Sequence, residues 1–281
     1  MNRAAVNRLK NINPAVSLEA FYSGWSSKEG AAIEADVTAA ARKADAILAG
    51  IAREALAGNE CWVEVGCGYG GFLVAMRKRL DIKSAHGFDF SAAAIEFAQS
   101  RFGGPGIAFY RCASLDAQET AALIRQHTAG RVDCIALIDV LEHIPDALGF
   151  VRALASVCPR FLIKLPLESA VFDNYCTPKE YPGSTHSNGH LREFDAHSVF
   201  HFVRQLGLTP VQEGLYVYSM EDAFPPPAPG ASLRGRGFRA AVMVFKRLTA
   251  LVLPKKWFLR LVGGGGYYCV AHFDEAHVLR P

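Results

Sequence analysis

The chain is 281 residues long, 51% apolar and 20% charged, so it can bury a sizeable core and is not disordered as a whole. Thirty basic residues stand against 27 acidic ones; the resulting +3 is too small to imply a nucleic-acid partner. The seven cysteines are scattered with no C-x-x-C pair, which argues against a disulfide framework or a structural zinc site and fits a reducing cytoplasm. Residues 1–13 carry basic side chains without the apolar run of a signal peptide, and no charge-free run reaches the roughly 18 apolar residues of a membrane span.

Residues 1–30 are mixed, with Phe21, Tyr22 and Trp25 close together; Tyr22 and Trp25 are expected either to pack or to form part of a lid. The alanine-rich stretch 31–56 predicts one long helix. Short apolar runs at 61–65, 85–88, 107–110, 132–138 and 161–165 then alternate with helical stretches at 71–80, 91–101, 118–127 and 146–157. That alternation predicts an α/β fold of βαβ units, with a mostly parallel sheet and helices on both faces. A polar loop is expected over 166–190, a helix over 195–206, a strand over 208–218, and a last strand over 267–273.

Between the last two strands lies an insertion, 220–262, that opens on a proline-rich hinge at 224–230. Its segment 232–262 holds eight basic residues (Arg234, Arg236, Arg239, Lys246, Arg247, Lys255, Lys256, Arg260) and no acid. Phe238, Ala241, Val242, Phe245, Leu248 and Val252 recur at helical spacing, Arg239 and Lys246 share another face, and Pro254 ends the helix before Lys255-Lys256-Trp257-Phe258. A basic amphipathic helix beside a tryptophan reads as a peripheral element at an inner membrane surface. The same pattern also suits an apolar face packed on a substrate site or on a second copy in a homodimer, with the basic face solvated.

The first strand runs into Glu64-Val65-Gly66-Cys67-Gly68-Tyr69-Gly70-Gly71 and then a helix, so a tight glycine turn delivers a helix amino terminus to a ligand. Gly66, Gly68 and Gly71 also satisfy G-x-G-x-x-G, and Asp89 at the end of the second strand suits any ribose diol. On these residues a nicotinamide-dependent oxidoreductase stays open.

Two further features narrow the choice. Glu64 stands two residues before the first glycine, giving E-x-G-x-G-x-G, and the fourth strand ends in Asp139-Val140-Leu141-Glu142-His143-Ile144-Pro145. This pair resembles the motifs of the class I S-adenosylmethionine-dependent methyltransferases, small-molecule type, over roughly residues 34–219 and 264–273. The resemblance implies a Rossmann-like seven-stranded, mostly parallel sheet with an antiparallel final strand, a helical cover over 1–57 and the methyltransferase domain over 58–281. It implies S-adenosylmethionine as cofactor, with Glu64, Gly66 and Gly68 around the methionine moiety, Asp89 on the ribose, Phe90 against the adenine, and Asp139 with Val140 near the methionine portion. Members often carry an aspartate after strand three for the adenine amino group; here Arg111-Cys112-Ala113-Ser114-Leu115 has none, leaving Ser114 with the backbone, or Asp116, for that contact.

The implied acceptor is a small molecule, a glycan or a lipid-linked intermediate, with no nucleic acid involved and O-methylation ahead of N-methylation. A hydroxyl acceptor needs a base. His190, His143 and Glu168 are the candidates, with His186 nearby, and Arg192 is suited to an anionic group. The structural alternatives are packing for His143 and solvation for Glu168. A catalytically silent cofactor-binding relative is the other alternative. No metal is expected, because His197 and His201 lack the acid of H-E-x-x-H.

Overall fold

The computed structural model describes residues 30–56, 58–112, 116–171, 190–218 and 233–278. In chain order the elements are α1 (Ala31–Leu48), β1 (Cys61–Val65), α2 (Gly71–Leu80), β2 (Ser84–Asp89), α3 (Ala92–Phe102), β3 (Ile107–Arg111), α4 (Ala117–Thr128), β4 (Cys134–Ile138), α5 (Ala147–Ala155) and β5 (Arg160–Leu167). They continue with α6 (Ser198–Gln205), β6 (Leu208–Val217), α7 (Leu233–Val252), α8 (Lys255–Leu261) and β7 (Gly265–Phe273). One seven-stranded sheet runs β3-β2-β1-β4-β5-β7-β6, and β7 lies antiparallel to both neighbours. The expected sheet, with its reversed last strand, is therefore present.

β1 and β4 are buried along their whole length, which is why they read as unbroken apolar runs: helices cover a parallel sheet on both faces. Side-chain alternation sorts the central strands between two cores. Val63, Val65, Ile135, Leu137, Phe161 and Ile163 pack with α4, α5 and α6 on one face. Trp62, Ala136, Leu162 and Val270 pack with α1, α2 and α3 on the other. Ser91, Asp116 and Asp146 start α3, α4 and α5 by accepting backbone N–H bonds from Ala94, Glu119 and Gly149. Because β1 neighbours β4 rather than β3, the strand order reverses there and opens a crevice beyond the carboxyl ends of the strands.

Several boundaries differ from expectation. The helix predicted over 31–56 stops at Leu48, followed by a short 3-10 turn at Arg53–Leu56. Gly50 passes so close to Tyr268 that a Cβ there would stand 1.8 Å from the phenol oxygen, and Gln212 of β6 ties the turn down by bonding the Gly50 carbonyl and the Ala52 N–H. β5 continues through Pro166 to Leu167, with Pro166 paired opposite Gly266, so the loop after it starts later. α6 begins at Ser198 rather than 195, since Asp195 Oδ1 accepts the N–H groups of His197 (2.7 Å) and Ser198 (2.6 Å).

In the insertion, Pro254 separates α7 from α8 as expected. Phe245, Leu248 and Val252 do form an outward stripe, joined by Val244, Leu251 (85% exposed) and Trp257 (53%). Lys246 departs from the expected solvated basic face. It is buried on the side of α7 turned to the protein, so the helix presents its apolar stripe outward. The side chains of Phe238 and Arg239 lie outside the described residues.

Candidate cofactor and acceptor site

The crevice at the β1/β4 switch holds a cavity of about 510 Å³. Glu64, Gly66, Gly68, Asp89, Phe90, Asp139, Val140, His143, Glu168 and His190 all line it, so the structure gathers the predicted residues from five strand ends and loops into one site. Ser114, His186, Tyr22 and Trp25 lie outside the described residues. Gly66 turns the chain at φ +76°, where a Cβ would stand 2.5 Å from Val140 Cγ2; only glycine lets the turn close this tightly on the β4 loop.

Asp89 fixes the turn electrostatically. Its Oδ2 accepts the Gly68 N–H and its Oδ1 the Ser91 N–H, both at 2.8 Å, leaving each oxygen further acceptor capacity toward the cavity. Burial raises its pKa above the ordinary aspartate value, and the Ser91 and Gly68 bonds counter part of that shift. Glu64 is buried at the end of β1, and its Oε2 has no hydrogen-bond partner. Burial pushes its pKa well above the usual range, so its carboxylate form needs a cationic or N–H partner in the cavity.

Asp139 is one of three non-glycine residues among those described with positive φ (+55°), a conformation that turns its carboxylate back into the cavity. There it accepts from Lys43 Nζ of α1 (2.7 Å) and from Lys164 Nζ of β5, and Lys164 also donates to the Tyr218 hydroxyl at 3.0 Å. Burial works against the Asp139 carboxylate, but the two lysines more than offset it and hold its pKa below the ordinary range. For Lys164, burial opposes the charge, and Asp139 outweighs it and raises the pKa well above normal. The motif reading missed Lys43, Lys164 and Tyr218. A lysine inside the apolar strand Phe161-Leu162-Ile163-Lys164-Leu165 was the available signal, because buried lysines need a specific anion.

The mouth of the cavity is built by two segments sewn together. Leu191 N–H donates to the Glu142 carbonyl, and Arg192 donates to the carbonyls of Ile144 (2.5 Å) and Pro145 (2.6 Å) while stacking over Phe202. Arg192 therefore clamps the Asp139–Pro145 run and is not presented to an anionic substrate, which corrects the expectation for it. The clamp sets His190 against His143, edge to face with ring centroids 4.6 Å apart, and Glu168 takes His190 Nδ1 at 2.5 Å. Beneath them Glu142 is fully buried, with neither carboxylate oxygen hydrogen-bonded. His197, just before α6, and His201 on it, also edge to face, do not line this cavity.

Residues 38–213 match the model of a methyltransferase domain family. The chain belongs to that family. No curated protein matches the sequence. Among solved structures, the methyltransferase-domain chain resembles the partner of the Trm112 activator from Haloferax volcanii, a putative methyltransferase, at 13% identity and TM-score 0.57, covering 92% of this chain and 98% of that one. It also resembles the plantazolicin methyltransferase BamL in complex with a triazolic desmethylPZN analogue and S-adenosylhomocysteine (14%, 0.51, 96% of each chain). A third is the magnesium protoporphyrin IX methyltransferase from Synechocystis PCC 6803 with S-adenosylhomocysteine (12%, 0.50, 97% and 96%). At these identities the likeness is one of fold.

Proposed function

We propose that this methyltransferase moves a methyl group from S-adenosylmethionine to a hydroxyl of a small-molecule or lipid-linked acceptor. The observation that carries the hydroxyl reading is the Glu168–His190–His143 array at the cavity mouth, an imidazole oriented by a carboxylate where an acceptor enters. The residues present fit the cofactor. Glu64 offers an unpaired buried carboxylate oxygen for a cationic amino group, Asp89 is pre-set for a diol, and the space beside Gly68 is open.

Bound there, S-adenosylmethionine would supply an electrophilic methyl on a sulfonium to an acceptor oxygen that gives up its proton. Lys43, already in the cavity, can leave Asp139 for the methionine carboxylate, while Lys164 keeps Asp139 paired. His190 is held in one tautomer and orientation by Glu168 and meets the acceptor hydroxyl. Holding acceptor and methyl donor in line is the main catalytic contribution such a site makes.

The experiment is S-adenosylhomocysteine release over a panel of hydroxyl and amine acceptors. Turnover with hydroxyl acceptors is expected, falling about 100-fold in His190→Ala, in the range typical for a lost acid–base group, with cofactor affinity unchanged. Turnover confined to amines and indifferent to His190→Ala overturns the hydroxyl reading.

The α7–α8 turn favours an acceptor met at a membrane. Its outward Leu248, Leu251, Val252 and Trp257 are bordered by the exposed basic residues Arg247, Lys255, Lys256 and Arg260, with no acid in that stretch. No described helix is long and apolar enough to cross a membrane. An apolar edge ringed by cations suits an anionic lipid surface, each charge contributing about 1 kcal/mol. Co-sedimentation with anionic vesicles is expected at low salt and fades at high salt; no binding at low salt contradicts it.

A further inference from the structure

Glu142, His143 and His190 bring one ligand atom each to within 4.8 Å of one another, and Glu142 and His143 come from the β4 loop while His190 comes from the segment that Arg192 clamps to it. We infer that this cluster is a binding site for a divalent first-row transition-metal ion at the acceptor end of the cavity. Three independent features point there. Glu142 is completely buried with both carboxylate oxygens lacking hydrogen-bond partners, an arrangement that a proton or a bound cation must answer. Two imidazoles and one carboxylate are the donor set that nitrogen-preferring ions take, in contrast to the all-oxygen sets of magnesium and calcium. Glu168 on His190 Nδ1 supplies the carboxylate–histidine pairing that metal sites use to orient their ligands.

The spacing suits an ion. Ligands bound at about 2.0–2.2 Å lie no more than about 4.4 Å apart, so small rotations of the imidazoles close the cluster. Three protein ligands leave coordination positions open toward the cavity that His143 and His190 line. There an ion lowers the pKa of a hydroxyl set against it and lets the proton pass to water. The inference deepens the hydroxyl reading and rests on it for its chemical role: with the ion bound, His190 acts on the hydroxyl through the ion and not as a direct base, and His190→Ala is still expected to lower turnover. Metal binding itself is measured without any acceptor.

The test is calorimetric titration of chelator-treated full-length protein with manganese chloride and, separately, zinc chloride, with manganese paramagnetic resonance as a second readout. One ion per chain is expected. Glu142→Gln and His143→Ala should weaken binding at least tenfold, and Glu168→Gln about 10–100-fold, as for other carboxylates behind a ligand histidine. His201→Ala, at the separate His197/His201 pair, should leave it unchanged. Glu142→Gln is nearly the same size and should fold, which its melting curve checks. Absence of stoichiometric binding, or binding lost with His201→Ala and kept in Glu142→Gln and His143→Ala, overturns the inference. Full turnover of a hydroxyl acceptor by metal-free enzyme overturns the chemical role given to the ion and leaves the methyltransferase reading intact.

Discussion

Asp139→Asn is expected to lower folding stability by about 3–5 kcal/mol at neutral pH, the cost of removing one partner from a buried ion pair. Asparagine tolerates the left-handed backbone that Asp139 adopts and is nearly the same size, so the loss reports charge and not strain. What remains is Lys164, almost wholly buried, with the Tyr218 hydroxyl as its remaining neighbour from the pair. The sign of the pH dependence follows. In the native protein Lys164 has a raised pKa, so its contribution is complete below the unfolded lysine value and declines as pH rises beyond it. In the variant burial depresses the lysine pKa, so stability rises with pH as the unfolded chain also gives up its proton. Denaturant melts should therefore show the gap between the two proteins narrowing from neutral to alkaline pH. A gap under about 1 kcal/mol, or one that widens, contradicts the role given to the pair.

Asp89→Ala should weaken S-adenosylhomocysteine binding by tenfold or more. Hydrogen bonds to a charged acceptor contribute about 1.5–3 kcal/mol each, and 1.4 kcal/mol is a factor of ten. The substitution removes the ribose acceptors and also releases Gly68 N–H and Ser91 N–H, so the glycine turn loses the anion that fixes it. Asp89→Asn keeps one acceptor oxygen and should fall between alanine and the native residue. Calorimetry on folded Asp89→Ala that finds undiminished affinity would move the ribose site elsewhere.

The sheet was legible in the sequence because its central strands are continuous apolar runs separated by helices of ordinary length, a pattern with few other solutions. The glycine turn and the run from Asp139 to Pro145 were legible as motifs for the same reason: backbone constraints there leave few residue choices, as the 2.5 Å approach at Gly66 illustrates. Long-range pairings were not. Nothing local to Gly50 announces that Tyr268, over two hundred residues later, will press on it and end α1. Likewise Lys43 and Lys164 lie 96 and 25 residues from Asp139 in the chain, and neither belongs to a motif. The grouping of Glu142, His143 and His190 was not legible, because each histidine by itself suits a base and only His197 and His201 stand at the spacing of ligands on one helix. Glu142 and His143 are adjacent in sequence, and their third partner, His190, is brought up by the Arg192 clamp, which only the fold reveals.

The most direct measurement is calorimetric titration of the native protein with S-adenosylhomocysteine and, in parallel, with NADH. Both ligands suit a glycine turn and a ribose-binding aspartate, but only one suits a methyltransferase site with Glu64 at the head of the turn and Asp139 between two lysines. One S-adenosylhomocysteine per chain is expected, with a higher melting temperature that grows with ligand by mass action, about 2.7 kcal/mol at a hundred times the dissociation constant. NADH should give neither heat nor shift. Stoichiometric NADH binding with no response to S-adenosylhomocysteine would contradict the assignment.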